Sequence, residues 1–233
     1  GLLRAEGGQG NYYGVCGGGG RIALHYDPVP QAAVSPAPRV RFSTFAFTNT
    51  TTSTEWAYWA GIGTLYLPDM ALLAATPTSP VVLDAQRFWH TVLVVSNAPV
   101  TWSPASLAIS NCAIALLPGY GLNVPGDLTL SAEGTLPADM AGRNEGRLTL
   151  RALPTNALYG ARLDVGGHLT IRTNGWLYPL TCGTNGAAGM TNAVVGIRVA
   201  GNVVIDAGGG INADGGGYVP KPGNGNGPGA GGN

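Results

Sequence analysis

The chain has 233 residues, of which 38 are glycine and 17 proline, with 10% charged residues and a formal net charge of zero. That length allows a sizeable core in one domain, or repeats plus a flanking lobe. The absence of a basic stripe able to neutralise phosphates argues against a nucleic-acid partner. Eleven of the twelve basic residues are arginine, Lys221 being the only lysine, and no apolar run is long enough to span a membrane as a helix. Proline and glycine interrupt every helix-period stretch, so almost no helix is expected. The chain begins at Gly1 without a recognisable secretory leader, which reads as a processed subunit or a piece of something longer.

In chain order, the first segment, "GGQGNYYGVCGGGGRIALHYDP", is glycine-rich up to a short strand at Arg21. Pro28, Pro30, Pro36 and Pro38 then predict a semi-rigid linker. The next segment, "FSTFAFTNTTTSTEWAYWAG", reads as a β insertion. Phe45 and Phe47 alternate as on a strand, and Thr50 to Thr54 have high β propensity. Asn49 with Thr51 forms a candidate glycosylation acceptor, set against a plain unmodified hairpin. Trp56, Tyr58 and Trp59 are a candidate sugar-stacking or subunit contact, set against a trio that only plugs a flank. "TVLVVSNAPVTW" and "LAISNCAIAL" follow as weaker strands, with Val92, Val94, Leu107, Ile109 and Ile114 predicted to face inward.

Three copies of one pattern come next. "LNVPGDLTLSAEGTLPA" from Leu122, "LDVGGHLTIRTNGWLYP" from Leu163 and "IRVAGNVVIDAGGGINA" from Ile197 superpose without a gap. Gly126, Gly167 and Gly201 form one shared column, and Gly134, Gly175 and Gly209 another. Each copy predicts three short strands separated by corners where glycine supplies backbone freedom, and such strands bury their apolar face only by stacking on a neighbour. The offsets of 41 and 34 residues exceed one unit, so intervening rungs or insertions are expected, "GRLTLRA" around Leu148 and Leu150 being part of one. The predicted fold is therefore all-β: a right-handed parallel β-solenoid, β-helix-like, with short strands and glycine corners, plus the N-terminal β insertion. Residues 1–90 make the glycine-rich start, linker and insertion, 91–219 the repeat-bearing solenoid, and 220–233 a Gly/Pro/Asn-rich tail that is flexible or exchanges as a strand. An ordinary β-sandwich is the alternative, but it has no reason to repeat its corner glycines in register.

Chemistry-bearing residues are sparse. Cys16 and Cys182 sit in glycine-rich corners and Cys112 in an apolar alternation; a disulfide between the first two and three free thiols both remain open. No zinc spacing is present, and no cofactor is predicted. In register, Asp127, His168 and Asn202 form the column after the corner glycine, and Asn123, Asp164 and Arg198 the column before it. Their offsets predict that they are not neighbours, so no acid, base and cation converge. Asp84 with His90, the lone His25, and calcium at Asp206, Asn212 or Asp214 are weaker candidates.

The opening glycine-rich segment, "GIGTLYLPD" at Gly61, the three copies and "INADGGGYVPKPGNGNGPGAGG" together resemble the glycine-rich repeat regions of very large secreted bacterial surface proteins. The resemblance covers most of the chain and implies an extracellular, cell-surface, β-helix-like building element. The expected function is a non-catalytic structural subunit or module of a surface fibre, filament or adhesin. Its partners are copies of itself end to end or further repeats of a giant chain. The alternative is a secreted carbohydrate-binding or polysaccharide-degrading β-helix protein, with extracellular polysaccharide as partner.

Overall fold

A computed structural model describes residues 1–8, 17–35, 38–46, 63–68, 72–73, 79–84, 87–89, 91–95, 101–116, 119–132, 145–152, 161–180 and 195–213. The early elements are β1 (Leu2–Arg4), β2 (Arg21–Ala23), α1 (Pro28–Ala32), β3 (Arg41–Ser43), β4 (Thr64–Leu67), β5 (Val81–Asp84), β6 (Phe88–Trp89) and β7 (Thr91–Val95). Four threefold circuits follow: β8 (Thr101–Trp102), β9 (Leu107–Ser110) and β10 (Ala113–Ala115); β11 (Gly121–Val124), β12 (Leu128–Ser131) and β13 (Gly146–Arg151); β14 (Ala161–Val165), β15 (Leu169–Ile171) and β16 (Gly175–Leu180); and β17 (Val195–Val199), β18 (Val203–Ile205) and β19 (Gly210–Ile211).

Every strand pairing among the described residues is parallel. The sheets run β2-β4-β7-β10-β13-β16-β19, β8-β11-β14-β17, β5-β9-β12-β15-β18 and β1-β3-β6, and none closes into a barrel. From β8 onward the chain thus visits three sheets in turn, returning after three strands to lie beside the strand it left. A parallel pair needs such a long return, because a tight hairpin can join only antiparallel strands.

The three sequence copies are consecutive layers of this arrangement, contrary to the expectation that other rungs separate them. Leu122 pairs with Leu163, and Leu163 with Ile197. Likewise Leu128 pairs with Leu169 and Leu169 with Val203. "GRLTLRA" is the third strand of the first copy, β13, and not part of an extra layer. Gly146, rather than Gly134, therefore stands opposite Gly175; Gly134 itself lies outside the described residues. The extra length of the first copy falls between β12 and β13, outside the described residues, and the ladders on either side stay in register.

Alternate residues of these strands point into one continuous apolar core that runs from Phe42 to Leu177, including Leu107, Ile109, Leu122, Leu128, Leu130, Leu148, Leu150, Leu163, Leu169 and Ile171. Leu107, Ile109 and Ile114 face inward as predicted. Val94 does not: β7 buries Thr91 and Leu93 and leaves Val94 half-buried. Its partner strand sets that phase, Leu93 standing opposite the fully buried Leu65. The proline-rich segment also departs from a plain linker. Asp27 caps a five-residue helix, its carboxylate accepting from the Val29 N–H at 3.0 Å, with proline in the first turn.

Candidate functional site

Two features stand out once the copies are stacked: a column of side chains along one corner, and the face left open at the last circuit. The corner column is Asp127, His168 and Asn202. The backbone N–H of His168 donates to Asp127 Oδ1 at 2.7 Å, and the N–H of Asn202 donates to His168 Nδ1 at 3.0 Å. The Asp127 and His168 side chains thus each satisfy a corner amide of the next layer. Because Nδ1 accepts, the ring hydrogen of His168 sits on Nε2. The backbone beside them is continuous too, Gly126 donating to Ala105, Gly167 to Gly126 and Gly201 to Gly167.

Glycine is required along this column for close approach, and not for the backbone freedom read from the sequence. Gly126, Gly167 and Gly201 all avoid the left-handed region, which among the described residues holds Asn111, Asn174, Gly119 and Gly208. A Cβ on Gly126 would lie 2.6 Å from the Ala105 carbonyl oxygen, and one on Gly201 2.5 Å from that of Gly167. One on Gly167 would strike Asp127 Oδ1 and come within 2.8 Å of the Gly126 carbonyl. Gly175 and Gly209 are equally crowded, by the carbonyls of Leu130 and Arg172.

Stacking also brings together the residues once read as too far apart for chemistry. Asn123, Asp164 and Arg198 stand side by side on β11, β14 and β17. Asp164 is held by Arg162 on its own strand at 2.7 Å, and Asn123 donates to Ser103 Oγ at 3.5 Å. The corner carboxylate and imidazole are engaged with backbone amides. The corner column thus ties one layer to the next, whereas in the second column Asp164 is paired within its own strand and Asn123 alone is shown reaching a neighbouring layer.

The remaining candidates disperse. Asp84 accepts from the Arg87 N–H at 3.1 Å and closes a turn, while His25 tilts against Tyr66 with ring centroids 5.2 Å apart. Cys112 is fully buried and free, its thiol pushed above the ordinary value by burial and then by the charge of Asp84. Among the described residues no three His, Cys, Asp or Glu side chains gather as metal ligands, Asp206 included. Among the described residues no helix is long and apolar enough to cross a membrane. Asn49, Trp56, Tyr58, Trp59, Cys16, Cys182, His90 and Asp214 lie outside the described residues, as do the tail residues 220–233.

The last circuit differs from those before it. Leu163, Leu169, Ile171 and Leu177 are fully buried, whereas their ladder partners Ile197, Val203, Ile205 and Ile211 are 38%, 52%, 46% and 42% exposed. Here β17, β18 and β19 each form the outer edge of a sheet. Comparison with family models, curated proteins and solved structures found no match.

Sequence reading passed over one cluster. In "GWLYPL", Trp176 and Tyr178 are two residues apart and so project from the same, outer face of β16. Their ring centroids are 6.4 Å apart, and the Arg147 guanidinium lies 4.4 Å from the Tyr178 centroid. The two-residue spacing of Trp176 and Tyr178 is the signal for this face in the sequence.

Proposed function

We propose that the chain is an extracellular, non-catalytic β-solenoid element of a surface fibre or adhesin. In it, layers add at the face formed by β17, β18 and β19. Copies of the chain end to end, or further repeats of the same chain, supply those layers. The observation that carries this reading is the exposed apolar layer Ile197, Val203, Ile205 and Ile211 directly above partners that are fully buried. Covering the exposed half of four such side chains is worth on the order of 3–6 kcal/mol, and three strands there are sheet edges among the described residues, templates on which a further strand pairs. The addition is heterologous, and layer on layer along one axis it extends without closing into a ring. A right-handed path is the one nearly all parallel crossovers take. The extracellular setting is supported by the resemblance of the glycine-rich motifs, and a mechanical role by the engagement of the Asp127 and His168 side chains with backbone amides.

Electron microscopy and light scattering of the purified chain test the reading, beside a variant in which a second copy of residues 161–213 is fused after Ala213. Filaments from the unmodified chain assign the layers to copies of it. Monomers that the fused circuits raise in melting temperature assign them to further repeats. Monomers that gain no stability from the fusion would overturn the reading.

A further inference from the structure

We propose that the outer face of β13 and β16 is a binding site for an acidic polysaccharide, with Trp176 stacking on a pyranose ring and Arg147 and Arg151 meeting its carboxylates. Trp176 is half-buried and stands in register with Gly210 of the next circuit. A Cβ on Gly210 would come within 2.8 Å of the indole Cζ3 and within 3.4 Å of Cε3 and Cη2. The benzo ring therefore lies across the glycine backbone, a position that any larger residue would deny it. An aromatic face of this kind offers large contact area at low conformational cost, and suits a ligand that is apolar on one side and polar at its rim.

The polar rim is provided by neighbours. Arg147 is in register with Trp176. It is fixed by Glu145 at 3.7 Å, by a bond from Nε to Thr149 Oγ1 at 3.3 Å, and by the Tyr178 ring. With these contacts made, the Arg147 side chain is still 35% exposed, and an arginine held in place loses less freedom on binding. Arg151, four residues along the same face, is exposed and has no ion pair among the described residues. Among the described residues the face thus carries two arginines against one carboxylate, Glu145, in a chain of zero net charge, which favours an anionic ligand. Arg147 to Arg151 spans about 13 Å of extended strand, room for more than one ring of a polymer.

Oligogalacturonate and a neutral cello-oligosaccharide, each titrated into the full-length chain and followed by calorimetry, test the proposal. The expected result is saturable binding of oligogalacturonate, weakened by salt and at least about tenfold tighter than that of the neutral probe. Trp176→Ala is expected to weaken it by roughly tenfold. Arg151→Gln should lessen both affinity and salt dependence. Gly210→Val, which displaces the indole without removing it, should act like Trp176→Ala; circular dichroism verifies that each variant is folded. The proposal is overturned if oligogalacturonate does not bind, if folded Trp176→Ala binds it unchanged, or if the neutral probe binds equally well.

Discussion

Substituting Gly167 by alanine adds a single methyl group at the most crowded point of the corner column. The new Cβ would occupy the place of Asp127 Oδ1 and sit 2.8 Å from both the carbonyl carbon and oxygen of Gly126. The carboxylate can swing away, which forfeits its bond to the His168 N–H; with both groups solvent-exposed, that loss is on the order of 0.5–1 kcal/mol. The carbonyl accepts from the Gly167 N–H at the corner between two ladders and cannot move alone, so the remaining crowding costs about 1–3 kcal/mol. Together Gly167→Ala should destabilise by about 2–4 kcal/mol, a fall in melting temperature of roughly 5–15 °C for a chain of this size. In an Asp127→Ala background the same substitution should cost about 1 kcal/mol less, because the oxygen is already gone. Gly8, where an added Cβ meets nothing within 4 Å, is the control and should tolerate alanine. Thermal unfolding followed by circular dichroism reads all four proteins. If Gly167→Ala melts with Gly8→Ala, close approach is not why glycine stands in the column.

Further outcomes follow from the same layers. Leu163→Ala should cost about 2–5 kcal/mol and Ile197→Ala only about 1 kcal/mol, although the two residues occupy equivalent positions in adjacent copies; urea unfolding distinguishes them. His168→Ala should speed hydrogen exchange of the Asn202 amide by about two- to fivefold, whereas His168→Asn, which restores an acceptor, should keep it slow. The Cys112 thiol is held neutral by burial, so it should resist thiol reagents until the chain unfolds. Since its folded value is raised, the stabilising contribution is complete below the ordinary thiol value of 9.0 and fades as pH rises above it. Equilibrium unfolding of Cys112→Ala beside the parent chain should show the parent alone losing that contribution.

The ladders were legible in the sequence because the copies keep the spacing of their inward residues: Leu122, Leu163 and Ile197, and Leu130, Ile171 and Ile205, align in sequence and pair in space. Their adjacency was not, since an added segment at a corner lengthens the offset as much as an added layer does. The same ambiguity misassigned the partner of Gly175, Gly146 being hidden behind the segment that precedes β13. In β7, "TVLVV" is apolar almost throughout and carries no alternation to read; its phase comes from Leu65 and Leu67 on β4 and from a buried bond between Thr44 and Thr91 at 3.1 Å. The corner column was visible as Asp127, His168 and Asn202, but its role was not. A side chain that accepts from the next layer's amide looks, in sequence, like any polar residue on a solvated strand.

Direct contact between consecutive copies is tested most plainly by paired cysteines on the outer positions of β12, β15 and β18, in a chain whose Cys16, Cys112 and Cys182 are replaced by alanine. Thr129 stands opposite Thr170, and Thr170 opposite Val204, at the roughly 4.8 Å spacing of neighbouring strands, within the Cα range that a disulfide bridges. Thr129→Cys with Thr170→Cys, and Thr170→Cys with Val204→Cys, should therefore oxidise to intramolecular disulfides, detected by mass spectrometry of the folded monomer. Thr129→Cys with Val204→Cys, two layers apart, should not. Bridging of that last pair with failure of the first two would contradict the stacking from which everything else is argued.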